Sequence, residues 1–263
     1  MYSRTELALK YLKHHWHASN GKGHGIHSPF VYEFVTEVLN DPRSFYPYTA
    51  IEKIRSGMLR DQRMIGIKDY GKPTGTKGGI KIADIAHRSL SSRKFGHLLF
   101  RIVNHYRPRN ILEMGTSLGI SGAYLAAADG SAQLTTLEGS PSIARIAAEN
   151  FSRLNLENIR QVTGSFEDTL SAVMESSPPF DLVFIDGNHR KDPVLKYFRQ
   201  LMGKKPAEAV FIFHDIHWSG GMEEAWQIIR EHPEVMLSID LFLAGFVFFR
   251  ENFRVKQHFN IRF

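Results

Sequence analysis

From residue 110 onward, short apolar runs alternate with amphipathic stretches, and this alternation constrains the fold more than any other feature of the chain. Runs at 110–114 (NILEM), 133–138 (QLTTLE), 159–163 (IRQVT), 181–185 (DLVFI) and 208–213 (EAVFIF) have the length of buried strands. Between them, 119–128, 141–153, 166–176 and 191–202 read as helices. Strands that alternate with helices are joined by right-handed crossovers, which make the strands parallel and cover both faces of the sheet. The expectation is a doubly wound α/β domain with a mostly parallel sheet. After a helix at about 220–231, VMLSIDLFLAGFVFFR breaks the rhythm, because a short Ala-Gly turn near 244 separates its two apolar runs. So short a connection joins antiparallel strands. The basic tail ENFRVKQHFNIRF then reads as an extra edge strand.

Upstream, ELALKYLKHHW, PFVYEFVTEVL and SRKFGHLLFRIVNHY carry apolar residues at helical spacing. Residues 69–94, rich in Gly, Lys and Ser, read as a mobile loop or lid between a helical N-terminal cap (1–91) and the α/β domain (92–263). A length of 263 residues suits one large domain with such a cap. No stretch approaches the roughly 20 apolar residues of a membrane helix, and the charged N-terminus has no signal-peptide core. The absence of cysteine excludes disulfides and thiolate metal sites, so a reducing, cytoplasmic setting is expected. The net charge of +6 is uneven: residues 1–94 hold 16 Lys+Arg against 8 Asp+Glu, and residues 95–263 hold 17 against 19. The basic third suits an acidic substrate, a nucleic acid or plain solvent.

The stretch ILEMGTSLGISGAYLA (111–126) places a glycine loop between the first core strand and its helix, at the sheet edge where α/β proteins bind ligands. A dinucleotide fingerprint wants glycine where Ser117 stands, and a Walker loop wants Lys after its last glycine, where Ile120 follows Gly119. Neither phosphate loop fits. Glu113 repels a phosphate but attracts an ammonium, so a zwitterionic ligand such as S-adenosylmethionine suits the loop; a ligand-free tight turn is the plainer alternative. The next strand ends in Glu138, followed by Gly139 and Ser140, and an acid there can accept both ribose hydroxyls of an adenosine. GSFEDTL (164–170) places Ser165 and Phe166 after the third strand, where adenine would lie.

LEMGTSLGIS, TLEGSP, GSFEDTL, FDLVFIDGNH and FIFHDIHW, in that order, resemble the class I S-adenosylmethionine-dependent methyltransferases, nearest the catechol and caffeoyl-CoA O-methyltransferase-like group. The likeness covers about residues 92–250. It implies a Rossmann-like seven-stranded sheet with an antiparallel C-terminal hairpin. It implies that Glu113, Gly115, Thr116, Ser117, Gly119 and Ser121 surround the methionine, Glu138 and Gly139 the ribose, and Ser165 and Phe166 the adenine. Asp186 would contact the cofactor or cap the next helix.

Asp186 and Asp215 end adjacent strands, and like charges side by side demand a cation or a shared proton. In the resembled group these positions bind a divalent metal that helps form the oxygen nucleophile. The third ligand there is an Asn, replaced here by Ile216, which cannot ligate. His217, Asn188 or His214 would have to substitute, and a His ligand tilts the choice from Mg²⁺ toward a transition metal. Where the group often carries a lysine base, this chain has His189; an imidazole, with an unperturbed pKa of ~6.5, is a suitable general base at neutral pH. Trp218 reads either as a substrate wall or as core.

The five histidines at 14, 15, 17, 24 and 27 match no zinc-ligand spacing. The sequence thus points to O-methylation of a small molecule, with a homodimer through the tail strand as a further expectation. Two rivals stand beside it: a nucleic-acid methyltransferase using the basic third, and a non-catalytic cofactor binder. The first lacks the Asn/Asp-Pro-Pro-aromatic motif after the fourth strand, where DGNH stands.

Overall fold

A computed structural model of the chain describes residues 1–66, 79–250 and 253–263. Its contacts divide it into two units, Pro42–Ser177 and Met1–Asp41 with Pro178–Phe263.

In the Pro42–Ser177 unit, β3 (Asn110–Met114), β4 (Gln133–Glu138) and β5 (Ile159–Thr163) are parallel, with β4 in the middle. Register pairs Glu113 with Thr136 and Glu138 with Thr163. The crossover helices are α6 (Ile120–Ala127), α7 (Pro141–Arg153) and α8 (Phe166–Ser176), which follows β5. Pro141 starts α7 where a missing N–H costs nothing, and the Ser165 hydroxyl caps α8 by accepting the Asp168 N–H. Ahead of the strands lie α3 (Pro47–Met58), the two-residue strands β1 (Met64–Ile65) and β2 (Ile80–Lys81), α4 (Ile82–Ser89) and α5 (Arg93–Tyr106). One core cluster joins Tyr48, Ile51, Phe100, Tyr124 and Phe151; a second joins Met58, Ile82, Ile85, Leu118 and Ile146.

The second cluster corrects one expectation. Residues 82–89 are a helix and not a loop, because Ile82, Ile85 and Ala86 recur at helical spacing and bury against Leu118 and Ile146. The Gly- and Lys-rich composition just before them masks this short pattern. The first part of the expected lid, 69–78, lies outside the described residues.

In the other unit, β6 (Leu182–Ile185) runs parallel to β7 (Val210–His214), with α9 (Lys191–Met202) between them in sequence. The helix α10 (Gly220–Arg230) leads to β8 (Leu237–Asp240) and β9 (Ala244–Phe248), and β9 pairs antiparallel with both β7 and β8. The hairpin stands, but its turn is 241–243: Ala244 and Gly245 belong to β9. Phe242 takes the left-handed conformation (φ 72°), and its N–H is held by Asp240 Oδ1 at 2.8 Å. Gly245 is needed in the strand, since a Cβ there would sit 2.5 Å from the Trp226 ring. The tail forms β10 (Gln257–Asn260), parallel to β8 at the sheet edge. It pairs with its own chain. Eight strands therefore make the mostly parallel sheet, one more than the expected seven, because the tail contributes β10.

This unit also holds α1 (Arg4–His17), α2 (Pro29–Glu33) and a π-helical turn at Phe34–Leu39. Ser3 and Glu6 start α1 with a reciprocal capping box. No helix among the described residues is long and apolar enough to cross a membrane.

Candidate functional site

The glycine loop is organised around a buried carboxylate. Glu113 has no exposed surface; Oε1 accepts the Ser121 hydroxyl at 2.5 Å and Oε2 accepts the Thr136 hydroxyl at 2.6 Å. Because the Thr136 proton is committed to Glu113, the hydroxyl of Thr116, 2.6 Å away, donates to Thr136. Three hydroxyls on β4, the loop and α6 thus fix the loop from inside. Gly122 makes this possible, since a Cβ there would lie 2.7 Å from Glu113 Oε2. Glu113 therefore shapes the loop, and its contact with an ammonium is not direct in this arrangement.

In the loop itself, Gly115 and Ser117 are half-buried. Gly115 and Thr116 donate their N–H groups to the Leu137 carbonyl, and Ser117 and Gly119 both take left-handed backbone (φ 47° and 82°). Gly119 is the N-cap of α6 and has no side chain to satisfy the first-turn N–H groups. A helix start left this way suits a carboxylate. A Cβ on Gly119 would also strike Phe151 at 2.8 Å, so glycine is required twice over.

Glu138 lies at the end of β4, beside this loop. It accepts the Ser117 N–H on Oε2 and the Ser140 N–H on Oε1, both at 2.9 Å. Burial pushes its carboxyl above the usual range, against the lowering effect of N–H groups from Ser140, Ser117 and Gly139. Three N–H donors on the roughly four lone-pair sites of a carboxylate leave room for a hydroxyl donor. Ser165 and Phe166 are half-buried at the start of α8 after β5, where the sequence placed them. Sequence reasoning missed Ser89, whose hydroxyl lies 2.8 Å from that of Ser117 and ties α4 to the loop. It lay in the supposed lid, and no local pattern marked it.

A different cluster closes the strand ends of the other unit. Asp186 Oδ1 is 3.0 Å from His214 Nδ1, and Asp215 Oδ1 is 3.5 Å from the same nitrogen. His189 Nε2 stands 3.8 Å from Asp186 and 3.9 Å from Asp215. The structure thus brings together the predicted Asp186, Asp215 and His189. Burial disfavours the His214 imidazolium, but Asp186 and then Asp215 outweigh it and raise its pKa to about 9. Burial likewise opposes the Asp186 anion, and His214 with His189 overcomes that and holds the carboxyl below the usual range. The cation that two adjacent carboxylates require is supplied here by a histidine.

His217 is not part of this cluster. Its Nδ1 is 3.0 Å from Glu223 and its Nε2 is 2.9 Å from Asp240, so both ring nitrogens are engaged. Its ring also stacks on Phe242. Burial works against its charged form, but Asp240 and Glu223 raise its pKa. Asn188 is likewise occupied, donating to Tyr197 and accepting from Arg190. Trp218 is half-buried, and its carbonyl accepts the Tyr2 N–H.

These placements decide whether a divalent metal fits. Ile216 is buried and ligates nothing, His217 has no nitrogen to offer, and the His214 imidazolium already lies between the two carboxylates. Among the described residues, no group of three or more His, Asp or Glu would hold a metal ion. The side chains as arranged do not fit one.

Residues 112–216 match the family model described as a methyltransferase domain. A catechol O-methyltransferase of Niastella koreensis is 38% identical over 109 residues, covering 40% of this chain and 47% of that protein. Catechol O-methyltransferase B of Danio rerio is 35% identical over 104 residues, covering 38% and 39%. The match spans about half the length of the first of these relatives or less. An O-methyltransferase from Bacillus cereus, solved with S-adenosylhomocysteine, superposes with a TM-score of 0.58 at 21% identity, covering 83% of this chain and 96% of that one. An O-methyltransferase from Streptomyces achromogenes involved in tomaymycin synthesis, solved with S-adenosylmethionine, gives 0.55 at 22%, covering 62% and 82%. At such identities these two structures show the fold alone.

Proposed function

We propose that the chain transfers the methyl group of S-adenosylmethionine to a hydroxyl oxygen of a small-molecule acceptor. The observation that carries this is the glycine loop. An uncapped α6 start beside Glu138 offers N–H groups to a carboxylate and a carboxylate to a ribose, which suits the cofactor and suits neither phosphate loop. Gly115, Ser117, Gly119 and Ser121 would border the methionine, Glu138 and Gly139 the ribose, and Ser165 and Phe166 the adenine.

The sulfonium is already activated, so the protein's task is to align an oxygen and accept its proton. The acceptor oxygen attacks the methyl carbon, the carbon–sulfur bond breaks, and S-adenosylhomocysteine leaves with the electron pair. His189 is the proposed base: its Nε2 faces the Asp186 and Asp215 carboxylates, which stabilise the imidazolium formed when the proton arrives. Asp186 and Asp215 orient that histidine. No step is drawn through a metal, because the His214 arrangement leaves no ligand set for one. The catechol O-methyltransferases among the relatives favour an aromatic hydroxyl as acceptor. Residues 1–91 are proposed to shape the acceptor's surroundings.

The test is transfer of labelled methyl from S-adenosylmethionine to a panel of catechols. Product is expected with the natural chain, and His189→Asn should lower kcat by about 10²-fold or more while leaving cofactor affinity unchanged. Equal turnover by both proteins removes His189 from the chemistry.

A further inference from the structure

His189 stands near Asp186 and Asp215 without being held by either. Its Nε2 is 3.8 Å from Asp186 Oδ1 and 3.9 Å from Asp215 Oδ2, beyond hydrogen-bond range, and its side chain is 30% exposed. Attraction at that distance draws the ring toward the carboxylates but sets no orientation. A proton acceptor has to be aimed, since a misplacement of about 1 Å can cost a reaction about 10²-fold. The aim therefore has to come from the backbone that carries the ring.

That backbone, between β6 and α9, is bound on both sides of the histidine. The Arg190 N–H donates to the Asn188 carbonyl at 2.5 Å, which closes a three-residue turn with His189 at its apex. Asn188 itself takes the left-handed conformation (φ 54°), which asparagine tolerates and most side chains avoid. Its amide then makes two further bonds: Oδ1 accepts the Arg190 Nε–H at 2.8 Å, and Nδ2 donates to the Tyr197 hydroxyl at 3.1 Å. Tyr197 belongs to α9 and has no exposed surface, so its hydroxyl is a fixed post. The first bond clamps the turn across its open side, and the second pins it to the core. A left-handed turn requires neither bond, because glycine supplies that backbone with no amide at all.

We infer that Asn188 is a positioning residue, whose amide ties the His189 turn to Tyr197 and so aims the imidazole along the Asp186 and Asp215 edge. The inference rests on the reading of His189 as the base and adds what holds that base in place. The segment Asp186-Gly187-Asn188-His189 then divides the work: Asp186 supplies negative charge, His189 takes the proton, and Asn188 sets where the proton is taken. Tyr197, eight residues further along, acts through Asn188 in turn.

Proton–carbon NMR of the histidine rings in the full chain tests the placement without any acceptor; the His189 signal is the one missing from H189N. N188G keeps the left-handed turn but has no amide, and Y197F removes only the post. Each should displace the His189 signal beyond its line width while affinity for S-adenosylhomocysteine stays unchanged. Circular dichroism verifies folding, and Y197F, the smaller change, carries the test alone if N188G does not fold. Kinetics with the best acceptor of the catechol panel supply the second arm. N188G should lower kcat about tenfold and Y197F about threefold, with KM unchanged. Neither should lower kcat further in the H189N background, because a residue that acts through another costs nothing once that other is gone. An unmoved His189 signal, or an equal loss of kcat in the natural and H189N backgrounds, overturns the inference. Full turnover by H189N is a different failure: it removes His189 as the base, and with it the step that Asn188 would serve.

Discussion

Two strand-end clusters of this chain solve the same problem, a carboxylate held out of water, by different means. Glu113 is held by hydroxyls: Ser121 and Thr136 donate to its two oxygens, and Thr116 in turn donates to Thr136. Asp186 and Asp215 are instead held by the His214 imidazolium. Hydroxyls do not titrate in the physiological range, whereas an imidazole does. The first cluster is therefore built for rigidity at any working pH, and the second for a charge balance that a proton can alter. The tasks proposed for them call for that difference: a fixed cradle for a cofactor and a proton-accepting edge for an acceptor.

Removing the carboxylate should hurt the first cluster most. Glu113→Ala removes the acceptor of the half-buried Ser121 and the buried Thr136 hydroxyls and should cost about 2–4 kcal/mol in denaturant unfolding, from roughly 1–3 for each orphaned group. A loss under about 1 kcal/mol would mean that the hydroxyl network does not hold the loop. Gly122→Ala attacks the same cluster by volume, since the added Cβ would lie 2.7 Å from Glu113 Oε2. The expected cost is about 1–3 kcal/mol by overpacking, with weakened S-adenosylhomocysteine binding as the loop shifts.

The comparison is sharpest in pH. His214 has its pKa raised to about 9 in the folded chain, so its charge favours folding fully below the unfolded value of ~6.5 and loses that contribution as pH climbs through about 9. The stability gap between the natural chain and His214→Gln should accordingly be widest below that lower value and shrink across this window. The gap for Ser121→Ala should stay flat over the same range. Parallel gaps would erase the distinction between the two clusters.

Much of this was legible in the sequence, for reasons that differ by region. The buried parallel strands declare themselves because both faces are covered, giving continuous apolar runs such as LVFI. Glu113 and Glu138 could be placed because a strand end followed by a helix start has few geometries. The helix α4 stayed hidden, since four buried residues beside a Gly-Lys stretch carry too short a period. The hairpin turn was misplaced because Ala-Gly looks like a turn, while Gly245 in fact serves Trp226 and Phe242 takes the left-handed position. His217 was read as a ligand because it follows Asp215 closely. Its partners, Glu223 and Asp240, come from a following helix and strand that sequence spacing could not bring to it.

The central claim is that the glycine loop and Glu138 form the cofactor cradle, and calorimetric titration with S-adenosylhomocysteine tests it without any acceptor. The natural chain should bind in a one-to-one complex, and Glu138→Ala should weaken binding at least about tenfold, the effect of losing charge-assisted hydrogen bonds to the ribose. Absence of binding by the folded natural chain, or equal affinity for Glu138→Ala, would contradict it.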